Sequence, residues 1–166
     1  MEEVFRTLME GDFDAVLAVA LRAWHFTYHE IYGHDYIEKF VREHYGSGRL
    51  SQLMNGIRRG TTFFEVAFEG ATVLGFCSAG LQREGVVLNR LYLDPDRLGR
   101  GVATKFLKRL EEFVRGHGYK KYHCYVHQGN ELGIRFYQKH GFTRKRLQTR
   151  ANDWYMEKKL SPTPKS

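Results

Sequence analysis

Between Asp94 and Thr104 the chain reads Asp-Pro-Asp-Arg-Leu-Gly-Arg-Gly-Val-Ala-Thr, with Gly99 and Gly101 on either side of the cation Arg100. Apolar β-formers precede this run and an amphipathic helical pattern follows it, so the glycines fall where a strand gives way to a helix. That placement suits an anion. Glycine lets the backbone approach a ligand without a Cβ in the way, and the unpaired N–H groups at a helix start attract phosphate oxygens. Arg100 adds a charge-assisted contact. The spacing is neither that of a Walker loop nor Gly-x-Gly-x-x-Gly, and taken alone the same glycines suit a tight turn that binds nothing. Further along, Asn130 opens a helix on which Tyr137 lies one turn after Gly133. His123 and His127 share an alternating face with Tyr125, where structural histidines are more natural than catalytic ones. No His, Cys and Asp cluster has metal-ligand spacing along the chain, so no metal is expected.

The elements that must position these residues are legible in the periodicity. Val4 to Leu8 reads as a first strand, and Asp12 is placed to cap a helix whose apolar positions Val16, Ala20, Ala23 and Trp24 recur at helical spacing. Shorter helical patterns cover Asp35 to His44 and Arg49 to Arg58, separated by the breaker Tyr45-Gly46-Ser47-Gly48. From Thr61 the period changes: Thr61 to Phe68, Thr72 to Leu81 and Val86 to Leu93 predict an antiparallel meander with turns at Glu69-Gly70 and Glu84-Gly85. A helix follows from Gly101 to His117, with an apolar stripe through Ala103, Phe106, Leu107, Leu110, Phe113 and Val114. Lys121 to His127 is the next strand, a helix runs from Asn130 to His140, and Phe142 to Gln148 with Trp154 to Leu160 forms a closing hairpin. The expectation is one α/β domain over residues 1–160, a mixed and mostly antiparallel sheet of about seven strands with helices on both faces, and a flexible tail over residues 161–166.

Two stretches together resemble a known family. The strand Leu91-Tyr92-Leu93-Asp94-Pro95, its loop Leu98-Gly-Arg-Gly-Val-Ala103, and Asn130-Glu-Leu-Gly-Ile-Arg-Phe-Tyr-Gln-Lys-His-Gly-Phe142 are similar to the core of the Gcn5-related N-acetyltransferases, the GNAT family. Gly101 and Ala103 match the family loop and Leu98 departs from its first position; Gly133 stands where the later motif has Ala. Within the family, Trp24-His-Phe-Thr-Tyr28, Ile31-Tyr32, Tyr36-Ile37, Arg42-Glu43-His-Tyr45, Tyr125-Val-His127 and Trp154-Tyr-Met-Glu-Lys-Lys159 resemble the PaiA-type acetyltransferases of archaea and bacteria.

The resemblance implies transfer of an acetyl group from acetyl-CoA to an amine by direct attack. It implies that the fourth strand splays from the fifth, leaving backbone groups of Leu91, Tyr92 and Leu93 for the pantetheine arm and the thioester oxygen. Leu98, Gly99, Arg100, Gly101, Val102, Ala103 and Thr104 then hold the pyrophosphate, Asn130 contacts the cofactor arm, and Tyr137 is the acid that protonates the departing sulfur. Tyr137 read without that context is equally a core tyrosine. Many relatives carry a Glu near the position of Asn89, whose amide is no useful base; Glu84, a histidine or a water relay stays open for that task. For the acceptor, Thr27, Tyr28, Glu30, Tyr32 and Asp35 supply aromatics and acids for a cationic amine, with Asn89 on the strand beside them. The subgroup implies a polyamine such as spermidine or spermine. A protein N-terminus or lysine is the alternative acceptor, and a non-catalytic acyl-CoA sensor the alternative of another kind.

Composition bounds these readings. The chain has 166 residues, 42% hydrophobic and 14% aromatic, enough to bury a core without staples. Two cysteines, Cys77 and Cys124, sit inside apolar runs as free thiols, the start of the chain lacks a signal peptide pattern, and no run is long enough to cross a membrane, so a cytoplasmic enzyme is expected. The net charge of +7 favours an anionic partner and sits awkwardly with a polycationic acceptor, but its residues are spread, as at Lys105, Lys108, Arg109 and Arg144 to Arg150. No helix-turn-helix or aromatic RNA motif is present, so no nucleic acid is expected. A homodimer through the aromatic C-terminal hairpin is a further expectation.

Overall fold

The computed structural model describes residues 2–162, so the expected tail lies outside the described residues from 163 onward. Strand β1 (Glu3–Thr7) leads through a short 3-10 turn into helix α1 (Phe13–Tyr28), followed by α2 (His34–Tyr45) and α3 (Ser47–Arg58). Strands β2 (Thr62–Glu69), β3 (Thr72–Gln82) and β4 (Gly85–Leu93) form the expected meander. Then come α4 (Val102–Gly116), β5 (Lys121–His127), α5 (Glu131–Lys139), β6 (Thr143–Gln148) and β7 (Asp153–Lys159).

All seven strands join one sheet in the order β1-β2-β3-β4-β5-β7-β6, antiparallel except where β4 meets β5. Each face buries its own apolar cluster. On one side Val16, Ala20 and Trp24 of α1 meet Ile37, Val41 and Leu50 from α2 and α3. On the other, Val102, Phe106, Leu110 and Val114 form the stripe of α4 and pack with Ile134 of α5. Strand β3 lies between the two layers, and the near-continuous burial of Val73 through Ala79 follows from that central place.

Three local readings need correction. Asp12 precedes α1 but does not cap it; its carboxylate turns back to accept from the Met9 N–H at 2.8 Å and from Arg6 at 2.8 and 2.9 Å. The break after α2 is Gly46 alone, because Ser47 and Gly48 already belong to α3; a Cβ on Gly46 would lie 2.4 Å from the Arg42 carbonyl oxygen. The closing hairpin does not present its aromatic strand. Strand β7, with Trp154 and Tyr155, inserts between β5 and β6, which leaves β6 with Arg144, Lys145 and Arg146 at the sheet's edge. A register shift between Arg144 and Arg146 further interrupts that edge, and cations with a bulge discourage pairing with another strand.

Behind the sheet, the buried carboxylate of Glu111 accepts from the Tyr122 hydroxyl and the Lys158 ammonium, each at 2.7 Å, tying α4 to β5 and β7. Cys77 and Cys124 are buried free thiols, and burial raises the pKa of both. Among the described residues no helix is long and apolar enough to cross a membrane.

Candidate active site

The site begins as a failure of pairing. Strand β4 follows β3 along its whole length, yet it pairs with β5 only through Val86, Val87 and Leu88, opposite Tyr122, His123 and Cys124. The cause is a bulge: Leu88 and Arg90 face the consecutive residues Ala79 and Ser78, so Asn89 is one residue too many. Beyond it the chain bends away from β5, and Leu91, Tyr92 and Leu93 line a cleft of about 590 Å³ with Cys124, Tyr125 and Val126 on the opposite bank. The β4 edge that faces this gap has no partner strand, so its backbone polar groups are available to whatever fills it.

At one end of the cleft lies the glycine loop. Gly99 and Gly101 adopt left-handed conformations, φ +81° and +80°, and neither would bring a Cβ within 4 Å of a neighbour. The restriction is therefore one of backbone conformation, with open space in front of the loop. Gly101 is the N-cap of α4, and no acidic side chain occupies the first turn, so the N–H groups of Val102, Ala103 and Thr104 face the cleft without intrahelical acceptors. The loop is held from both sides. Arg22 of α1 binds Asp94 at 2.7 Å and Asp96 at 2.8 Å, while Asp94 also accepts the Asp96 N–H at 3.0 Å. His140 of α5 lies 2.8 Å from the Phe136 carbonyl oxygen through Nδ1 and 2.9 Å from the Thr104 hydroxyl through Nε2. Since a carbonyl only accepts, Nδ1 carries the proton and Thr104 donates to Nε2.

Helix α5 forms the remaining wall. Asn130 caps it by accepting the Gly133 N–H at 2.9 Å. A Cβ on Gly133 would sit 2.7 Å from the Asn130 amide nitrogen, which explains why glycine suits this position here. One turn on, Tyr137 lines the cleft, its ring edge-on to Phe136 and Phe142 at 5.3 and 5.1 Å. Burial, with the fields of Cys124, Cys77, Tyr28 and Tyr45, pushes the Tyr137 pKa well above the usual tyrosine value, so its hydroxyl is protonated at neutral pH. Apolar groups exposed at the mouth, Phe26, Leu98 and Leu132, make an uncommonly greasy rim for a surface that is otherwise basic.

Thr27, Tyr28 and Asn89 line the cleft together with Leu91, Tyr92, Leu93, Leu98, Gly99, Gly101, Val102, Ala103, Thr104, Asn130 and Tyr137. Arg100 and Glu30 do not. The Arg100 guanidinium turns outward to Glu69 at 3.7 Å, which Arg97 also faces at 3.6 Å. Glu30 projects into solvent with its side chain 87% exposed.

Tyr28 opens an aromatic wall that the short spacing of its members only partly disclosed. Its hydroxyl lies 3.5 Å from that of Tyr92, its ring is 5.9 Å from Tyr32, and Tyr32 stacks on Tyr36 at 4.7 Å. His127 meets Tyr32 and Tyr28 edge-on at 5.7 and 6.4 Å. Asp153, which sequence reasoning missed, is paired with His127 across β5 and β7, and its charge reaches both Tyr28 and Tyr32. Burial raises the Asp153 pKa, an effect that His127 opposes. The strand boundary drawn at Trp154 hid this carboxylate in a turn. Of the other candidates for a base, Glu84 sits in an exposed turn and His123 is buried with its Nε2 unpartnered, its pKa lowered by burial.

Comparison with known proteins agrees with this architecture. The acetyltransferase (GNAT) family matches residues 20–142. A relative from Thermoplasma acidophilum named spermidine N(1)-acetyltransferase is 33% identical over 158 residues, 93% of this chain and 95% of that protein. The crystal structure of PaiA N-acetyltransferase from T. acidophilum in complex with coenzyme A superposes with a TM-score of 0.91 at 30% identity, covering 96% of this chain and all of that one. A GCN5-related N-acetyltransferase from Rhodopseudomonas palustris shares the fold, with a TM-score of 0.76 at 18% identity over 96% of this chain and 97% of that one.

Proposed function

The chain belongs to the GNAT family of acetyltransferases, and from that premise we propose that it acetylates a polyamine such as spermidine or spermine on a primary amine. The observation that carries this acceptor class is the wall of Tyr28, Tyr32 and His127 with Asp153 paired to His127; Tyr28 lines the cleft and meets Tyr92 of β4, and the other three lie outside its lining. Aromatic faces and one carboxylate suit an alkylammonium chain, and they give local attraction that opposes the overall +7. The relative named spermidine N(1)-acetyltransferase supports the same reading, since the similarity spans nearly the whole of both chains.

The residues present fit acetyl-CoA: the unpaired edge of β4 runs the length of the gap, and the left-handed glycines keep Cβ atoms out of the space before α4. Residues 98–104 hold the pyrophosphate through backbone N–H groups, the edge at Leu91 to Leu93 takes the pantetheine, and Asn130 borders it. Bound acetyl-CoA supplies an acyl group activated as a thioester. Tyr137 keeps a proton at its hydroxyl for the thiolate that departs. His127 accepts the Gly129 N–H at Nδ1, 3.0 Å away, so that lone pair is engaged in the turn and is not offered to the amine. Asn89 accepts no proton, so the proton of the attacking amine is left to water in the cleft. The buried free thiols suit a reducing cytoplasm, residues 1–160 act as one catalytic unit, and a homodimer through the C-terminal hairpin would have to pair the cationic β6 edges.

The test is CoA release with mass identification of the product, run over spermidine, spermine, diamines, amino acids and N-terminal peptides. Acetylated spermidine or spermine is expected, and Asp153→Asn should raise KM for the polyamine while leaving that for acetyl-CoA unchanged. Turnover of peptides alone would move the assignment to a protein acetyltransferase; tight acetyl-CoA binding with no turnover of any amine would make the chain an acyl-CoA sensor.

A further inference from the structure

Outside the cleft, at the junction of α1 and α2, three side chains converge that no step of acetyl transfer uses. His25 lies in the last turn of α1, His34 begins α2, and Glu38 follows one turn later, so His34 and Glu38 share a face of α2 turned toward α1. The ligand atoms of all three lie within 4.8 Å of one another. His25 Nε2 is 2.7 Å from a Glu38 carboxylate oxygen, and the His25 and His34 rings stand with centroids 4.8 Å apart, 30° from parallel. Spacing along the chain did not disclose the cluster, because its members come from two helices. None of the three is fully buried: Glu38 and His25 are half-exposed and His34 is open to solvent.

We propose that His25, His34 and Glu38 form a binding site for one divalent transition-metal ion of the zinc type, with its remaining positions open to water. Two imidazoles and one carboxylate are the donor set that zinc, cobalt and nickel prefer and that magnesium and calcium do not. Metal–nitrogen and metal–oxygen bonds of about 2.0–2.2 Å require ligand atoms little more than 3 Å apart, a rotamer adjustment from the present spacing for exposed side chains. The 2.7 Å hydrogen bond between His25 and Glu38 joins two of the ligand atoms, and an ion held by both would take the place of its hydrogen. Arg42 Nη2 lies 3.5 Å from the other Glu38 carboxylate oxygen. Arg42 opposes the ion electrostatically; Asp35, 3.4 Å from His34 Nδ1, supports it and orients the ring. An ion here pins α1 to α2 across residues 29–33, the turn that carries Tyr32 of the aromatic wall, so the site stiffens the acceptor side without entering the chemistry.

The experiment uses the tag-free full chain after chelator treatment, titrated with Zn²⁺ by calorimetry and with Co²⁺ by visible absorption. One equivalent bound, visible bands of a four- or five-coordinate Co²⁺ site, and a raised Tm are expected, with affinity falling about 10- to 100-fold or more in His34→Ala and Glu38→Gln. His34 is solvent-exposed, so its removal leaves the fold intact, as circular dichroism would show. No saturable binding, or binding whose affinity is the same in His34→Ala as in the parent, overturns the site; the second result would assign the ion to another of the chain's eight histidines.

Discussion

Arg22 and Asp94, 72 residues apart in sequence, meet at 2.7 Å and lock the first long helix to the point where β4 gives way to the glycine loop. Asp94 is buried and its other oxygen caps the turn at Asp96, so the pair fixes where the loop starts. In Arg22→Ala the acetyl-CoA KM should rise several-fold while kcat and the polyamine KM hold, because only the pyrophosphate end is loosened. Stability should fall by about 1–3 kcal/mol, since the buried Asp94 carboxylate loses its charged partner. Initial-rate kinetics with each substrate varied in turn check this.

Tyr137→Phe should lower kcat by about 100-fold or more with little change in CoA affinity, because the lost hydroxyl acts as the thiolate develops. Since burial raises the Tyr137 pKa, the hydroxyl proposed as the acid is protonated throughout neutral and mildly alkaline pH. The parent kcat should therefore show no falling limb from this group before the ordinary tyrosine range near pH 10. Unchanged kcat in Tyr137→Phe would remove the assignment; a limb below that pH which disappears in Tyr137→Phe would keep the role and show that the pKa is not raised.

Gly101→Glu should weaken CoA binding by tenfold or more in calorimetry. Two effects combine: a side chain at φ +80° costs about 1–2 kcal/mol of backbone strain, and a carboxylate is set before the phosphates. Gly101→Ala separates them, keeping the strain without the charge, and should lose less affinity.

Alkaline stability offers a separate check on the aromatic core. Burial raises the Tyr45 pKa to about 12, with the Arg90 charge and the Trp24 N–H acting the other way, and raises Tyr92 and Tyr122 as well. Below the ordinary tyrosine pKa of about 10 both folded and unfolded chains hold these protons and the full stability is present. As pH rises above that, the unfolded chain ionises first, and for Tyr45 alone the folded state should lose about 2–3 kcal/mol on reaching pH 12. Urea unfolding at pH 8, 10 and 11.5 should show the midpoint flat to about 10 and falling after it; in Tyr45→Phe the fall should be shallower.

Much of this molecule is readable in one dimension. The stripe of α4, the alternation of β5 and the cap at Asn130 are local patterns, and each element lies within a few residues of its expected span. What could not be read is what the third dimension decides. The insertion of β7 between β5 and β6 depends on nonlocal pairing, so the aromatic strand expected at the edge is interior. Arg100 sits in the right loop but points to Glu69, because a side chain's direction follows its nearest unpaired charge as much as its place in a motif. Asp153 joins the aromatic wall proposed for the acceptor only through its register with His127. Family resemblance implied that the fourth strand splays from the fifth, but no feature of the strand placed the bulge at Asn89, whose neighbours on both sides are good β-formers.

Among the described residues, three rungs, Val86 to Leu88 against Tyr122 to Cys124, are all the strand pairing between the two halves of the sheet. The molecule is thus two leaves sewn by a short seam, and whatever lies in the gap touches both. Filling the gap finishes the seam, so occupancy and cohesion become one quantity: amides of β5 and of the far end of β4 should exchange their hydrogens in step with how much acetyl-CoA is present. Such a protein carries a record of its cofactor supply in its own resistance to unfolding, with each hundredfold excess over Kd adding about 2.7 kcal/mol.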